Sequence, residues 1–371
     1  MRDGPLIAVL GGGQLGRMLG LAGIPMHLRF RFLDPSPDAC AAAVGELVVG
    51  ALDDLDAVDA TIKGADAVTY EWEGVPAATI EHVVAQGGRV APNARALAAS
   101  QDRLHEKELF RSLGIATAPY ATVDSRDDLE RAVATVGVPA ILKTRRGGYD
   151  GKGQVRLAGA GDIERAWAEL GGVPLLLEGF VPFQRELSVL ACRARDGSTA
   201  CWPLVENTHR SGILARTLAP APSLAPAVQQ AGEALVRALL DSLDYVGVVC
   251  IELFDVDGEL VANEFAPRVH NSGHYTIEGA QTSQFENHLR ALLDLPLGST
   301  APRGPSAMLN CVGALPDRAA VLAVPGAHLH DYAKEPRAGR KVGHVTVTAE
   351  SVEARDNAVA HLTPHIPFVV Q

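Results

Sequence analysis

The chain predicts a three-part protein of mixed α/β and α+β class: a parallel-sheet domain over residues 1–100, a larger domain over 101–297 and a small β-rich domain over 298–371. Three observations carry that reading. Apolar strands and helices alternate through the first hundred residues, the rhythm of a parallel sheet with crossover helices. Strands, helices and glycine turns then mix in the manner of an antiparallel sheet. The Pro/Gly-rich stretch Pro296 to Pro305 separates a short run of further strands.

In the first part, Leu6 to Leu10 predicts a buried strand and Gln14 to Ala22 a helix. Leu28 to Leu33 and Ala67 to Tyr70 follow as strands, and Ala77 to Ala85 as a helix. In the second part, Gln101 to Leu113 and Asp127 to Val136 are helical, and Val138 to Leu142 is apolar and delivers Lys143 at its end. Strands are expected at Leu175 to Glu178, Glu186 to Arg193 and Thr199 to Val205. A long helix, Val228 to Leu243, leads into a hairpin of Val246 to Phe254 and Leu260 to Phe265.

The 371 residues carry 33 basic and 44 acidic side chains, a net charge of −11, which excludes a general nucleic-acid or anionic-membrane binder. The five cysteines are scattered, without a Cys-x-x-Cys pair, as expected of reduced thiols. No apolar run reaches the ~18 residues of a membrane span. A soluble, cytoplasmic protein is therefore expected.

Two glycine motifs bear on function. Gly11-Gly12-Gly13-Gln14-Leu15-Gly16 satisfies G-x-G-x-x-G between a strand and a helix, with Asp34 at the end of the next strand. That is the dinucleotide fingerprint, and an NAD-dependent dehydrogenase is the rival it raises. The same loop also suits any phosphate at a helix N-terminus. The second motif, Lys143 to Gln154, has four glycines and, after Lys143, the cations Arg145, Arg146 and Lys152. Such a loop closes backbone N–H groups on an anion, and its cations are expected to face a polyphosphate.

Glu252 and Glu264 lie within the two apolar strands of the hairpin around Asp257-Gly258. Carboxylates in such strands are costly unless paired or bound to a cation. Both face one side only if the turn has an odd residue count or a bulge. A three-residue loop with Gly258 in the left-handed position is expected, which makes them diagonal neighbours about 7 Å apart. They would share Mg²⁺, with Mn²⁺ as the alternative, and Asn263 could add an amide oxygen. Arg268, His270 and Asn271 follow at once, an arginine fork beside a metal being suited to an anionic intermediate.

With these residues in view, the chain resembles the ATP-grasp ligases. The resemblance runs through Gly11 to Met18, Val68 to Pro76, Gln101 to Leu104, Lys143 to Gln154, Glu178 to Ser188, Glu206 to Leu214, Asn263 to Gly273 and Gly339 to His344. It implies an ATP-grasp fold with a Rossmann-like N-terminal domain. Within that family the likeness is to members that use ATP and bicarbonate to carboxylate 5-aminoimidazole ribonucleotide through carboxyphosphate. A formate-dependent or glycinamide ribonucleotide ligase is the alternative. By resemblance, ATP meets Arg103, Lys143, Gly148, Tyr149, Asp150, Gly151, Lys152, Gly153, Gln154, Glu178, Gly179, Phe180, Val181, Glu186, His209, Asn263 and Glu264. Catalysis falls to Arg268, His270, Asn271 and Lys152, and the metal to Glu252 and Glu264. The ribonucleotide meets Gln14, Leu15, Glu73, Tyr149, Asp150, Arg268, Lys334, Arg340 and Lys341. A homodimer is implied. Gly74 stands where the family carries asparagine, which is expected to loosen that loop, and Lys152 where some members carry arginine.

Overall fold

The computed structural model describes residues 3–148 and 151–370, so Tyr149 and Asp150 lie outside the described residues. Strand β1 (Leu6–Leu10) is buried along its whole length, as a central parallel strand must be. It lies between β2 (Arg29–Asp34) and β4 (Ala67–Tyr70), with β3 (Glu46–Val49) outside β2. Every pairing in this four-stranded sheet is parallel. Helices α1 (Gln14–Gly23) and α2 (Leu55–Ile62) supply crossovers, and α3 (Ala77–Ala85) follows β4. The expected alternation is therefore present, and β3 and α2 are additions to it.

Helices α4 (Ala94–Ser100) and α5 (Arg103–Ser112) lead into the middle of the chain. There β5 (Tyr120–Val123), β6 (Ala140–Thr144), β7 (Gln154–Leu157) and β8 (Leu175–Gly179) form an antiparallel sheet in the order β5-β8-β6-β7. One face carries α6 (Arg126–Val136) and α7 (Ile163–Leu170) over a core of Leu129, Leu142, Leu157, Leu175 and Leu177. Each leucine buried there contributes roughly 2 kcal/mol relative to exposure. The glycine loop is the β6–β7 connection, its neck closed by Thr144 N–H donating to the Gly153 carbonyl (2.8 Å).

The largest sheet has nine antiparallel strands. It is built from β9 (Arg185–Arg193), β10 (Thr199–Cys201), β11 (Val205–Arg210), β12 (Ile213–Ala219), β13 (Gly247–Val256) and β14 (Glu259–Ala266). The predicted strand over Thr199 to Val205 is thus two elements, interrupted where the buried Trp202 turns its indole N–H to the Thr282 carbonyl. Helix α8 (Pro226–Ser242) covers one face. The C-terminal β-rich segment adds β15 (Ser306–Val312), β16 (Ala327–Asp331) and β17 (Lys341–Thr348) to the same sheet beside β12, so it shares a sheet with the middle of the chain. No helix among the described residues is long and apolar enough to cross a membrane.

Candidate active site

The hairpin β13–β14 turns through two residues, Asp257 and Gly258, both at positive φ (54° and 90°). This corrects the expected three-residue loop. Parity is restored further along, where Glu252 pairs with Glu264 but Leu253 pairs with Ala262, leaving Asn263 as the extra residue of a bulge. The two glutamates therefore stand directly opposite each other, not diagonally. Burial, then the like charge of Glu264, pushes the Glu252 carboxyl above its ordinary range. Enclosure acts on Glu264 in the same sense, but the Arg103 guanidinium, 2.8 Å away, overrides it and holds that carboxyl down. Two facing carboxylates at the edge of a cleft, only one of them neutralised by an arginine, fit a divalent cation.

The cleft beside Glu252 is lined by Glu186, Asn207, His209 and Asn263. Glu186 accepts from His209 Nδ1 at 2.7 Å, so these two expected nucleotide contacts hold each other. Lys143 leaves β6 to reach Glu178 Oε2 on β8 at 3.0 Å. Burial raises the Glu178 carboxyl, yet Lys143 and then Lys107 override this and bring it to about 2. In the segment after Glu178, Gly179 N–H donates to Pro119 and Phe180 N–H to Pro139. Those two N–H groups are thus taken, and a base edge would have to meet other groups of that segment.

Of the loop cations, Arg145 forms a fork with Asp102 (2.9 and 2.7 Å) and Arg146 joins it at 3.3 Å. This corrects the expectation that both face a phosphate: they anchor the loop to the start of α5. Arg103 also donates to the Gly148 carbonyl (3.4 Å). Gly151, at φ +77°, comes so close to the turn at Ser211 and Gly212 that a Cβ would lie 3.1 Å from the Gly212 backbone. Gly151 thus lies over the β11–β12 turn, with Lys152 exposed beside it and Gln154 already in β7.

Arg268 donates to Glu73 Oε1 (2.9 Å) and to the Val269 carbonyl (3.0 Å), and its Nε is buried without a partner among the described residues. His270 lies 3.5 Å from Glu252 and bonds Ser272 Oγ (2.9 Å); burial and then Arg268 keep its imidazole neutral, well below its ordinary pKa. Asn271 turns instead to Asn310 on β15 (2.6 and 3.2 Å). The pair Arg268–Glu73 joins this centre to the loop after β4, whose Glu73 and Val75 carbonyls accept from Gln101 Nε2 (2.8 and 2.6 Å). A Cβ on Gly74 would fall 2.4 Å from the Trp72 ring, so glycine there seats the indole and the loop is fastened, contrary to the expected loosening.

Beyond this loop, Lys334 donates to Gln14 Oε1 (2.8 Å), and Arg340 donates to the Glu335 carbonyl (3.1 Å). Lys341 opens β17 and its charge reaches Glu252 and His270. The Leu15 side chain is buried in the core with Met18, Leu19 and Phe32, which leaves its backbone to meet a ligand.

The first glycine motif is already filled. Asp34 accepts from Gly12 N–H (2.8 Å) and Ser36 N–H (2.9 Å), while Glu71 accepts from Gly13 and Gly16 N–H (3.0 and 3.2 Å) at the start of α1. A carboxylate of the chain stands where a dinucleotide phosphate would sit. Asp34→Ala should therefore lower the melting temperature by a few degrees, through loss of one or two hydrogen bonds worth ~1 kcal/mol each. Its kcat should stay within about threefold of wild type in steady-state assays, and a large loss in a folded protein would revive the dehydrogenase.

Sequence reasoning missed Glu71, Gln101, Asp102, Glu106 and Lys107. A signal existed for two of them: Glu106 and Lys107 follow the expected ATP contact Arg103 by three and four residues, the spacing that shares one helix face.

Two sheets meeting at facing carboxylates, a buried lysine and a glycine hairpin define an ATP-grasp ligase. The chain matches the ribonucleotide synthetase preATP-grasp domain over residues 5–101, the ATP-grasp domain over 108–285 and the phosphoribosylaminoimidazole carboxylase C-terminal domain over 306–358. It is 54% identical to the N5-carboxyaminoimidazole ribonucleotide synthase of Pseudomonas aeruginosa, covering 92% of this chain and 94% of that one. The synthetase structure from Thermus thermophilus superposes with a TM-score of 0.93 at 53% identity, covering 97% and 98% of the two chains. The Aspergillus clavatus enzyme, solved with ADP and 5-aminoimidazole ribonucleotide, gives 0.90 at 34% identity, covering 99% and 98%. The chain belongs to the N5-carboxyaminoimidazole ribonucleotide synthase family.

Proposed function

We propose that the protein carboxylates 5-aminoimidazole ribonucleotide to N5-carboxyaminoimidazole ribonucleotide in purine biosynthesis, consuming ATP and bicarbonate and releasing ADP and phosphate. The observation that carries this reading is the Arg268–Glu73 pair, which sets an arginine fork between the Glu252/Glu264 edge and the loop expected to meet the ribonucleotide.

Bicarbonate is a poor electrophile, so its oxygen first takes the γ-phosphoryl group of ATP to give carboxyphosphate. Glu252 and Glu264 would hold Mg²⁺, which when bound neutralises charge on the transferring phosphoryl group. Lys143 and Arg103 hold the phosphates, and the Gly148 to Gln154 loop covers them and excludes water. Arg268, whose Nε has no protein partner among the described residues, grips bicarbonate and then carboxyphosphate. Neutral His270 stands beside Glu252 as hydrogen-bond donor or acceptor. The ribonucleotide amine, presented from the Glu73 side, attacks the activated carbon or the CO₂ it releases, and phosphate departs. Lys334, Arg340 and Lys341 supply the 5′-phosphate with charge, and Gln14 lies beside Lys334.

Mg-ATP at saturation should raise the melting temperature by several degrees while NAD(P) leaves it unchanged. ADP release should then require both bicarbonate and aminoimidazole ribonucleotide for full rate. Turnover with formate or glycinamide ribonucleotide in their place would reassign the substrates.

A further inference from the structure

Arg103, Glu106 and Lys107 share one face of α5, turned to the β14 edge. Arg103 is taken by Glu264, and Glu106 by the Phe265 N–H (2.7 Å). Lys107, with a side chain only 1% exposed, donates to the Asn263 carbonyl at 2.6 Å, on the bulge residue beside Glu264. Its Nζ also lies 3.5 Å from Glu178 Oε2, the same oxygen that accepts from Lys143 at 3.0 Å. A buried ammonium is costly to desolvate, and one carboxylate cannot neutralise two of them. The three side chains together therefore carry one net positive charge, next to where the phosphates of ATP are proposed to lie.

We propose that Lys107 is a positioning residue for ATP: by taking up part of the Glu178 charge, it leaves the charge of Lys143 available to phosphate. Without Lys107, Glu178 and Lys143 form a neutral pair, and the lysine is drawn to the carboxylate instead of the nucleotide. The bond to the Asn263 carbonyl also fixes this charge to the hairpin that carries Glu252 and Glu264. The inference rests on the reading of Lys143 as a phosphate contact.

Charge arithmetic gives a test that a purely structural role does not share. Lys107→Met should raise the KM for ATP about tenfold, with the KM for aminoimidazole ribonucleotide within about twofold of wild type. Lys107→Arg keeps the charge and should hold the KM for ATP within about threefold of wild type. A KM for ATP unchanged in Lys107→Met, or raised alike in Lys107→Met and Lys107→Arg, overturns the proposal. If Lys107→Met does not fold, as judged by its melting curve, Lys107→Gln, which also removes the charge, takes its place with the same two outcomes. Lys143→Ala is the control: no effect on the KM for ATP there would remove the underlying reading and this proposal together. An effect there without one in Lys107→Met would remove this proposal alone.

Discussion

Glu264→Gln should lose turnover by at least about a thousandfold while keeping its fold. Glu264 sits where the parts of the site converge. It faces Glu252 across the hairpin, accepts from Arg103 at 2.8 Å, and follows the bulge residue that Lys107 holds. An amide keeps the shape but removes a hard anionic oxygen, so a divalent cation would sit wrongly against the γ-phosphate. The melting temperature should fall, because Arg103 loses its carboxylate partner, a loss only partly offset by relief of the like-charge repulsion that raises Glu252. The check is ADP release at saturating Mg²⁺ beside a melting curve. Activity within about threefold of wild type would remove the metal role.

Arg268→Lys and Arg340→Ala should fail in different ways. Arg268 uses one nitrogen on Glu73 and another on the Val269 carbonyl, and its buried Nε has no partner among the described residues. Lysine preserves the charge but has one nitrogen for these tasks, so the ion pair with Glu73 and the grip on a planar anion cannot both be kept. If that grip tightens as charge develops on carboxyphosphate, kcat should fall about a hundredfold or more, with ribonucleotide KM changed far less. Arg340 lies on the connection into β17 and bonds a carbonyl of its own loop. A 5′-phosphate contact there is made equally in ground and transition states, so Arg340→Ala should raise the ribonucleotide KM about tenfold with kcat nearly intact. Steady-state kinetics with the ribonucleotide as varied substrate checks both; identical lesions would merge the two roles.

Much of this site is legible in the sequence because its chemistry contradicts its surroundings. Glutamates in apolar strands, and a lysine closing a buried strand, stand out against the pattern that places them. What the sequence hides is register and partnership. The bulge at Asn263 leaves no local mark, yet it decides that Glu252 and Glu264 meet directly. Arg145 and Arg146 point to a ligand because they lie in a glycine loop, but their partner, Asp102, lies some forty residues earlier. Lys107 reads as one more solvated helix cation, and only packing of α5 against β14 buries it. The Pro/Gly stretch marks off the C-terminal strands, while their pairing with β12 is a contact between distant segments that periodicity does not encode.

The central claim is that ATP activates bicarbonate through its oxygen at the Glu252/Glu264 edge. Turnover in ¹⁸O-labelled bicarbonate, started before the label exchanges with water, tests it most directly. When the C–O bond of carboxyphosphate breaks, whether by amine attack or by loss of CO₂, the bridging oxygen leaves with phosphorus. The released phosphate should therefore carry one ¹⁸O for each ribonucleotide carboxylated. Phosphate free of label, at a rate of ADP release that matches product formation, would contradict the account.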